Sequence, residues 1–92
     1  MHVRVRGFLT FREAVGTREV DLEDGATLRT LFERLAGQLD SVAAQVYAPS
    51  DGLRRGVAVL VNGRHYTHTR TGLETTLCDG DEVDVFPPLA GG

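Results

Sequence analysis

The strongest helical periodicity in this chain lies in one stretch. Leu28, Leu31, Phe32, Leu35 and Leu39 recur at helical spacing, while Arg29, Glu33, Arg34 and Gln38 fall on the opposite side. One amphipathic helix cannot hide such a stripe by itself and needs a sheet to cover it. Thr27, just ahead of the stripe, is the expected N-cap, because its hydroxyl can accept from the unpaired N–H groups of the first turn. Gly37 either ends the helix or weakens its last turn.

The remaining segments are patterned to supply that sheet. Val3 and Val5 alternate with His2, Arg4 and Arg6, and Leu9 continues the alternation, which predicts a strand from Met1 to Phe11 with Gly7 as a bulge. Thr17 to Leu22, with Val20 and Leu22 on one face, reads as its hairpin partner. Ser41 to Gly56 is mixed. Val42, Ala43, Val46 and Tyr47 suggest a short helical turn, Pro49 to Gly52 a loop, and Arg54-Arg55-Gly56 closes it. Val57 to Val61 is apolar on both faces, Asn62-Gly63 is a favoured two-residue turn, and Arg64 to Thr67 returns as a partner strand. Thr71 to Leu77 reads as irregular or 3₁₀, and Asp79-Gly80 as a turn. Glu82 to Phe86 is a last strand with Val83 and Val85 inward, ended by Pro87-Pro88, which cannot donate to a ladder. Strands, one main helix and more strands make an α+β roll, a mixed sheet packed on that helix.

At 92 residues the chain favours one domain. With 41% hydrophobic and 25% charged residues it is too apolar for a disordered tail and too broken for a membrane span. A formal charge of -3, with no basic stripe, argues against nucleic acid as a partner. The single Cys excludes an internal disulfide framework and a multi-cysteine metal site. The alternating N-terminus lacks the apolar run of a signal peptide, so a cytoplasmic protein is expected. All 10 basic residues are Arg, so no side chain of this protein can receive an isopeptide bond.

The sharpest signal is at the C-terminus. Asp79-Gly80-Asp81-Glu82-Val83, then Phe86-Pro87-Pro88, then Gly91-Gly92, together with Val59-Leu60-Val61-Asn62-Gly63-Arg64 and Leu73-Glu74-Thr75 upstream, resemble the MoaD/ThiS family of ubiquitin-like sulfur carriers. The resemblance spans essentially the whole chain. It implies a β-grasp domain over residues 1–86 and an extended Gly-Gly tail over 87–92. It also implies that the Gly92 carboxylate is the reacting group. A MoeB/ThiF-type adenylyltransferase, related to ubiquitin-activating enzymes, would use ATP to convert it to an acyl-adenylate. Displacement of AMP by sulfur would then leave a thiocarboxylate. The Phe86-Pro87-Pro88 end is closest to MoaD-type proteins. This implies a non-catalytic small subunit that delivers sulfur to a MoaE-type large subunit in molybdopterin synthesis, for a molybdenum or tungsten cofactor. No stably bound cofactor and no metal are expected.

The residue types suit that task. Gly91 and Gly92 can enter a narrow channel, and Pro87-Pro88 favours an extended path. The six residues Pro87, Pro88, Leu89, Ala90, Gly91 and Gly92 can reach about 18 Å, and none carries a charged side chain to desolvate. If Val57, Val59 and Val61 face the helix, Ala58 and Leu60 face outward, and Phe86 lies opposite Val85. Leu60, Phe86 and Leu89 are therefore the candidates for an apolar partner-binding patch.

Other motifs carry less. His65 and His68 fall on opposite faces of a strand, with no third ligand nearby. Cys78, with no adjacent base, reads as a small packed side chain. Asp79, Asp81, Glu82 and Asp84 read as a solvated acidic face, with steering toward a basic partner as the functional alternative. Asp79-Gly80-Asp81 lacks the flanking ligands of a calcium loop. Three other functions fit parts of the pattern: a ubiquitin-like modifier joined through Gly92 to target lysines, a sulfur carrier for thiamine, cysteine or tRNA thiolation, and an interaction module whose Gly-Gly end is incidental.

Overall fold

A computed structural model of the chain describes residues 1–66 and 72–88. The elements are β1 (His2–Gly7), α1 (Phe11–Ala14), β2 (Thr17–Asp21), α2 (Leu28–Gln38), α3 (Asp40–Gln45), β3 (Tyr47–Ala48), β4 (Gly52–Leu53), β5 (Ala58–Val61), β6 (Arg64–His65), a 3₁₀ turn (Gly72–Glu74) and β7 (Glu82–Phe86). Five strands form one mixed sheet in the order β2-β1-β7-β5-β6, and β3 with β4 makes a separate small hairpin. The central pair β1 and β7 is parallel, which brings the first and last strands side by side. The other pairs are antiparallel. This is the α+β roll that the sequence pattern predicts, in the ubiquitin-like β-grasp arrangement that the family resemblance implies.

The alternation read from the sequence sorts the strands correctly. Val3, Val5, Val20, Val59, Val83 and Val85 turn inward and meet Leu28, Leu31, Phe32 and Leu35 of α2 in one core. Thr27 caps α2 as expected. Its Oγ1 accepts from the Thr30 N–H at 3.3 Å, and the Thr30 hydroxyl accepts in return from the Thr27 N–H at 3.4 Å. Gly37 does not end this helix, which runs on to Gln38 and breaks at the extended Leu39. The region 41–56 holds more order than its composition suggests: α3, then a hairpin around the buried Tyr47, whose ring stacks on Phe32 at 5.8 Å.

The first strand departs from expectation. It stops at Gly7, and the chain turns into the one-turn helix α1 before β2. Leu9 is not an inward strand residue; it sits at φ 56° and is 59% exposed. Gly7 marks a close approach, not a bulge. A Cβ there would lie 2.1 Å from the Phe11 carbonyl oxygen and 2.8 Å from the Val15 Cβ. Only a residue without a side chain lets α1 fold back onto the end of β1.

Asn62 and Gly63 make the anticipated turn, with φ of 51° and 84°. The expected strand to Thr67 is described as Arg64–His65, and its last residue lies outside the described residues.

Candidate functional site: an apolar groove beside the C-terminal segment

The outer face of the sheet divides by chemistry. Toward β2 it is a ladder of charges. Arg4 meets Glu19 at 3.5 Å, and Arg6 donates through Nε to Asp84 at 2.8 Å and through Nη2 to Glu82 at 3.3 Å. The hydrogen bond that Arg6 donates to Asp84 raises the Arg6 pKa further above its ordinary value. Asp79 accepts from the His2 N–H at 2.7 Å. Asp81 accepts from the Cys78 N–H at 2.7 Å and from Asn62 Nδ2 at 2.9 Å. Each member of the acidic cluster therefore has a structural partner within the fold.

Toward β5 the same face is apolar. In register, Ala58 lies opposite Phe86 and Leu60 opposite Asp84, which puts Leu60 and Phe86 on the outer surface as alternation requires. They form the floor of an open groove of about 750 Å³. Leu9, Arg55, Gly56, Ala58, Pro87 and Pro88 complete its lining.

The Phe86 ring is positioned by a stack. Phe8 lies against it at 4.6 Å between centroids and 11° between planes, and the Arg6 guanidinium sits 5.3 Å from the Phe8 centroid. One face of Phe86 is thus covered by Phe8 while the ring still lines the groove.

Leu60 and Phe86, two of the three residues proposed for an apolar patch, line this groove together with Pro87 and Pro88, which the sequence marks only as the start of an extended tail. Leu89, Ala90, Gly91 and Gly92 lie outside the described residues, as does His68. Among the described residues no group of His, Cys, Asp and Glu could hold a metal ion, and no helix is long and apolar enough to cross a membrane. Cys78 corrects the sequence reading: its side chain is exposed, because neighbouring Leu77 takes the buried position. Sequence reasoning missed Leu9, Arg55 and Gly56 as groove residues, and Phe8 as the ring that stacks on Phe86. Leu9, Arg55 and Gly56 lie in turns, where alternation assigns no face. Phe8 follows β1, and its contact with Phe86 depends on the parallel pairing of β1 with β7.

A β-grasp body with a one-sided apolar groove, and a C-terminal segment leaving beside it, defines a small ubiquitin-like carrier or modifier. The sequence profile of the ThiS family matches residues 5–92, and the chain belongs to that family. It is 38% identical over 94 residues to small archaeal modifier protein 3 of Haloferax volcanii, covering all of both chains. It is 29% identical over 92 residues to the molybdopterin synthase sulfur carrier subunit of Chlamydomonas reinhardtii, again over all of both chains. The solution structure of the Haloferax volcanii HVO 2177 protein superposes with a TM-score of 0.83 at 40% identity, covering 100% of this chain and 87% of that one.

Proposed function

We propose that this protein is a sulfur carrier whose Gly92 carboxylate is activated and thiolated in the active sites of other proteins. The observation that carries this reading is the junction of groove and tail. Pro87 and Pro88 line the apolar groove, so a partner seated on Leu60 and Phe86 meets the C-terminal segment where it leaves the sheet.

A carboxylate resists nucleophilic attack because of its charge and resonance. In the proposed chemistry a Gly92 oxygen attacks the α-phosphorus of ATP on a MoeB/ThiF-type adenylyltransferase, pyrophosphate leaves, and a mixed anhydride forms. A sulfur nucleophile adds to the carbonyl carbon, and AMP departs with the C–O electron pair. With sulfide as that nucleophile, HS⁻ adds, AMP leaves and the S–H proton passes to solvent, so the product is a thiocarboxylate with no change of oxidation state. The acceptor enzyme then takes the sulfur, and hydrolysis restores the carboxylate. The match to a molybdopterin synthase sulfur carrier subunit supports a pterin acceptor on a MoaE-type large subunit. ATP binds the partner in this scheme, and this chain contributes the docking surface and the reacting terminus.

The match to a small archaeal modifier protein favours a second reading, in which the same adenylate is captured by a lysine of a target protein. With no Lys of its own, this protein would then add as single units and not as side-chain-linked chains.

The test is ATP–pyrophosphate exchange by the cognate activating enzyme with this protein as the variable substrate. Wild type supports exchange. Leu60→Asp and Phe86→Ala raise the KM for the carrier by roughly tenfold or more, the range expected when a buried interface anchor is lost, and leave kcat largely unchanged. Absence of exchange with the wild-type protein overturns the proposal. Unchanged KM in both variants removes the groove from it.

A further inference from the structure

We propose that Gly56 is a positioning residue for the start of the C-terminal tail: it is the seat on which Pro88 rests, and it fixes where Pro88 lies relative to the groove. The inference rests on the carrier reading above but concerns a residue outside the tail and outside the reacting group.

Gly56 and Pro88 are in unusually close contact. A Cβ at Gly56 would stand 2.9 Å from the Pro88 Cβ, 3.1 Å from its Cγ and 3.6 Å from its Cα. The first distance is one that real side chains do not tolerate, and the neighbour is a proline ring, which has no rotamer to swing away. Relief must come from backbone movement on one side or the other.

The Gly56 side is anchored. Arg54 to Val57 is a turn closed by the Val57 N–H donating to the Arg54 carbonyl at 3.1 Å, with Gly56 at φ 81° in its third position. The Arg54 N–H donates to the Val46 carbonyl at 2.8 Å, and Arg54 Nη2 donates to the Ala43 carbonyl at 2.8 Å. Val57 is 7% exposed and belongs to the core. The turn is therefore tied to α3, to the segment after it and to the sheet.

Phe86 is equally fixed, in register with Ala58 and stacked on Phe8. Between Phe86 and Pro88 only Pro87 intervenes, and its ring locks φ. A side chain at Gly56 thus displaces Pro88. The groove and the start of the tail would no longer present to one partner in the same relative orientation. Small misplacement of a reacting group is costly to rate.

The experiment is a double-mutant cycle read by pyrophosphate exchange. Gly56→Ala is expected to lower kcat/KM for the carrier by roughly ten- to a hundredfold. Two comparisons separate positioning from damage to the fold. Gly63 has the same left-handed backbone (φ 84°) with nothing within 4 Å of a Cβ, so Gly63→Ala carries the backbone strain alone and should leave kcat/KM within a few-fold of wild type.

Pro88→Gly removes the ring atoms that clash. In that background Gly56→Ala should cost little more, so the two changes are strongly non-additive. Equal losses in Gly56→Ala and Gly63→Ala, or full additivity with Pro88→Gly, overturns the proposal. If wild type itself is not adenylated, the carrier reading fails. The seat is then tested by NMR alone: Gly56→Ala must shift the Pro88 resonances, while Gly63→Ala must not. Unshifted Pro88 resonances overturn it.

Discussion

Gly92→Ala, or a single residue added after Gly92, is expected to abolish thiocarboxylate formation while leaving thermal unfolding where it is in the wild type. The two changes act at different points. In the proposed reaction a methyl group at position 92 would obstruct a channel that admits only a chain without Cβ atoms. An added residue moves the carboxyl group about 3 Å beyond the reacting position, the rise of one extended residue. Loss of a near-attack geometry removes most of the advantage of bringing the reactants together, so the expected reduction is a hundredfold or more. Because the sheet ends at Phe86, neither change touches a core contact among the described residues. Intact mass after incubation with activating enzyme, ATP and a sulfur source gives the yield, and calorimetry gives the unfolding midpoint. Thiolation of either variant at the wild-type rate means that the terminus is not the reacting group.

Gly7→Ala should have the largest effect on stability. The added methyl would fall 2.1 Å from the Phe11 carbonyl oxygen and 2.8 Å from both the Phe11 carbonyl carbon and the Val15 Cβ. None of these atoms belongs to a flexible side-chain end. Relief requires α1 to lift from β1, which pulls Phe11, Ala14 and Val15, each at most 4% exposed, away from the core. It also stretches the bond from the Gly7 N–H to the Gly16 carbonyl, now 2.7 Å. Overpacking alone costs about 1–3 kcal/mol, and the accompanying loss of burial places the total at about 3 kcal/mol or more. For a domain of this size that lowers the unfolding midpoint by about 12–24 °C. A shift of only a few degrees would mean that α1 rides over the added methyl without leaving the core.

Gly7 also shows where sequence reading reached its limit. Positions 3, 5, 7 and 9 keep an alternating frame, and nothing local tells a strand that continues through Leu9 from one that stops at Gly7. The distinguishing fact is a contact with the Phe11 carbonyl, which only the folded loop creates. The seat of Pro88 on Gly56 was invisible for the same reason: it joins a turn before β5 to the residue two beyond β7.

By contrast, α2 and its Thr27 cap, the Asn62-Gly63 turn and the inward valines of β7 were legible, because each depends on neighbours a few residues away. The outward placement of Leu60 and Phe86 followed from alternation alone. That they share one groove required the order of the strands. Cys78 was misjudged as packed because composition favours buried cysteines, whereas the phase of this segment gives the inward position to Leu77.

The central claim is tested most directly by locating the sulfur within the protein. After incubation with its activating enzyme, ATP and a sulfur source, the intact carrier is fragmented in the mass spectrometer. The account predicts one oxygen replaced by sulfur, confined to fragments that contain Gly92. An unchanged mass, or sulfur found instead on the exposed thiol of Cys78, would contradict it.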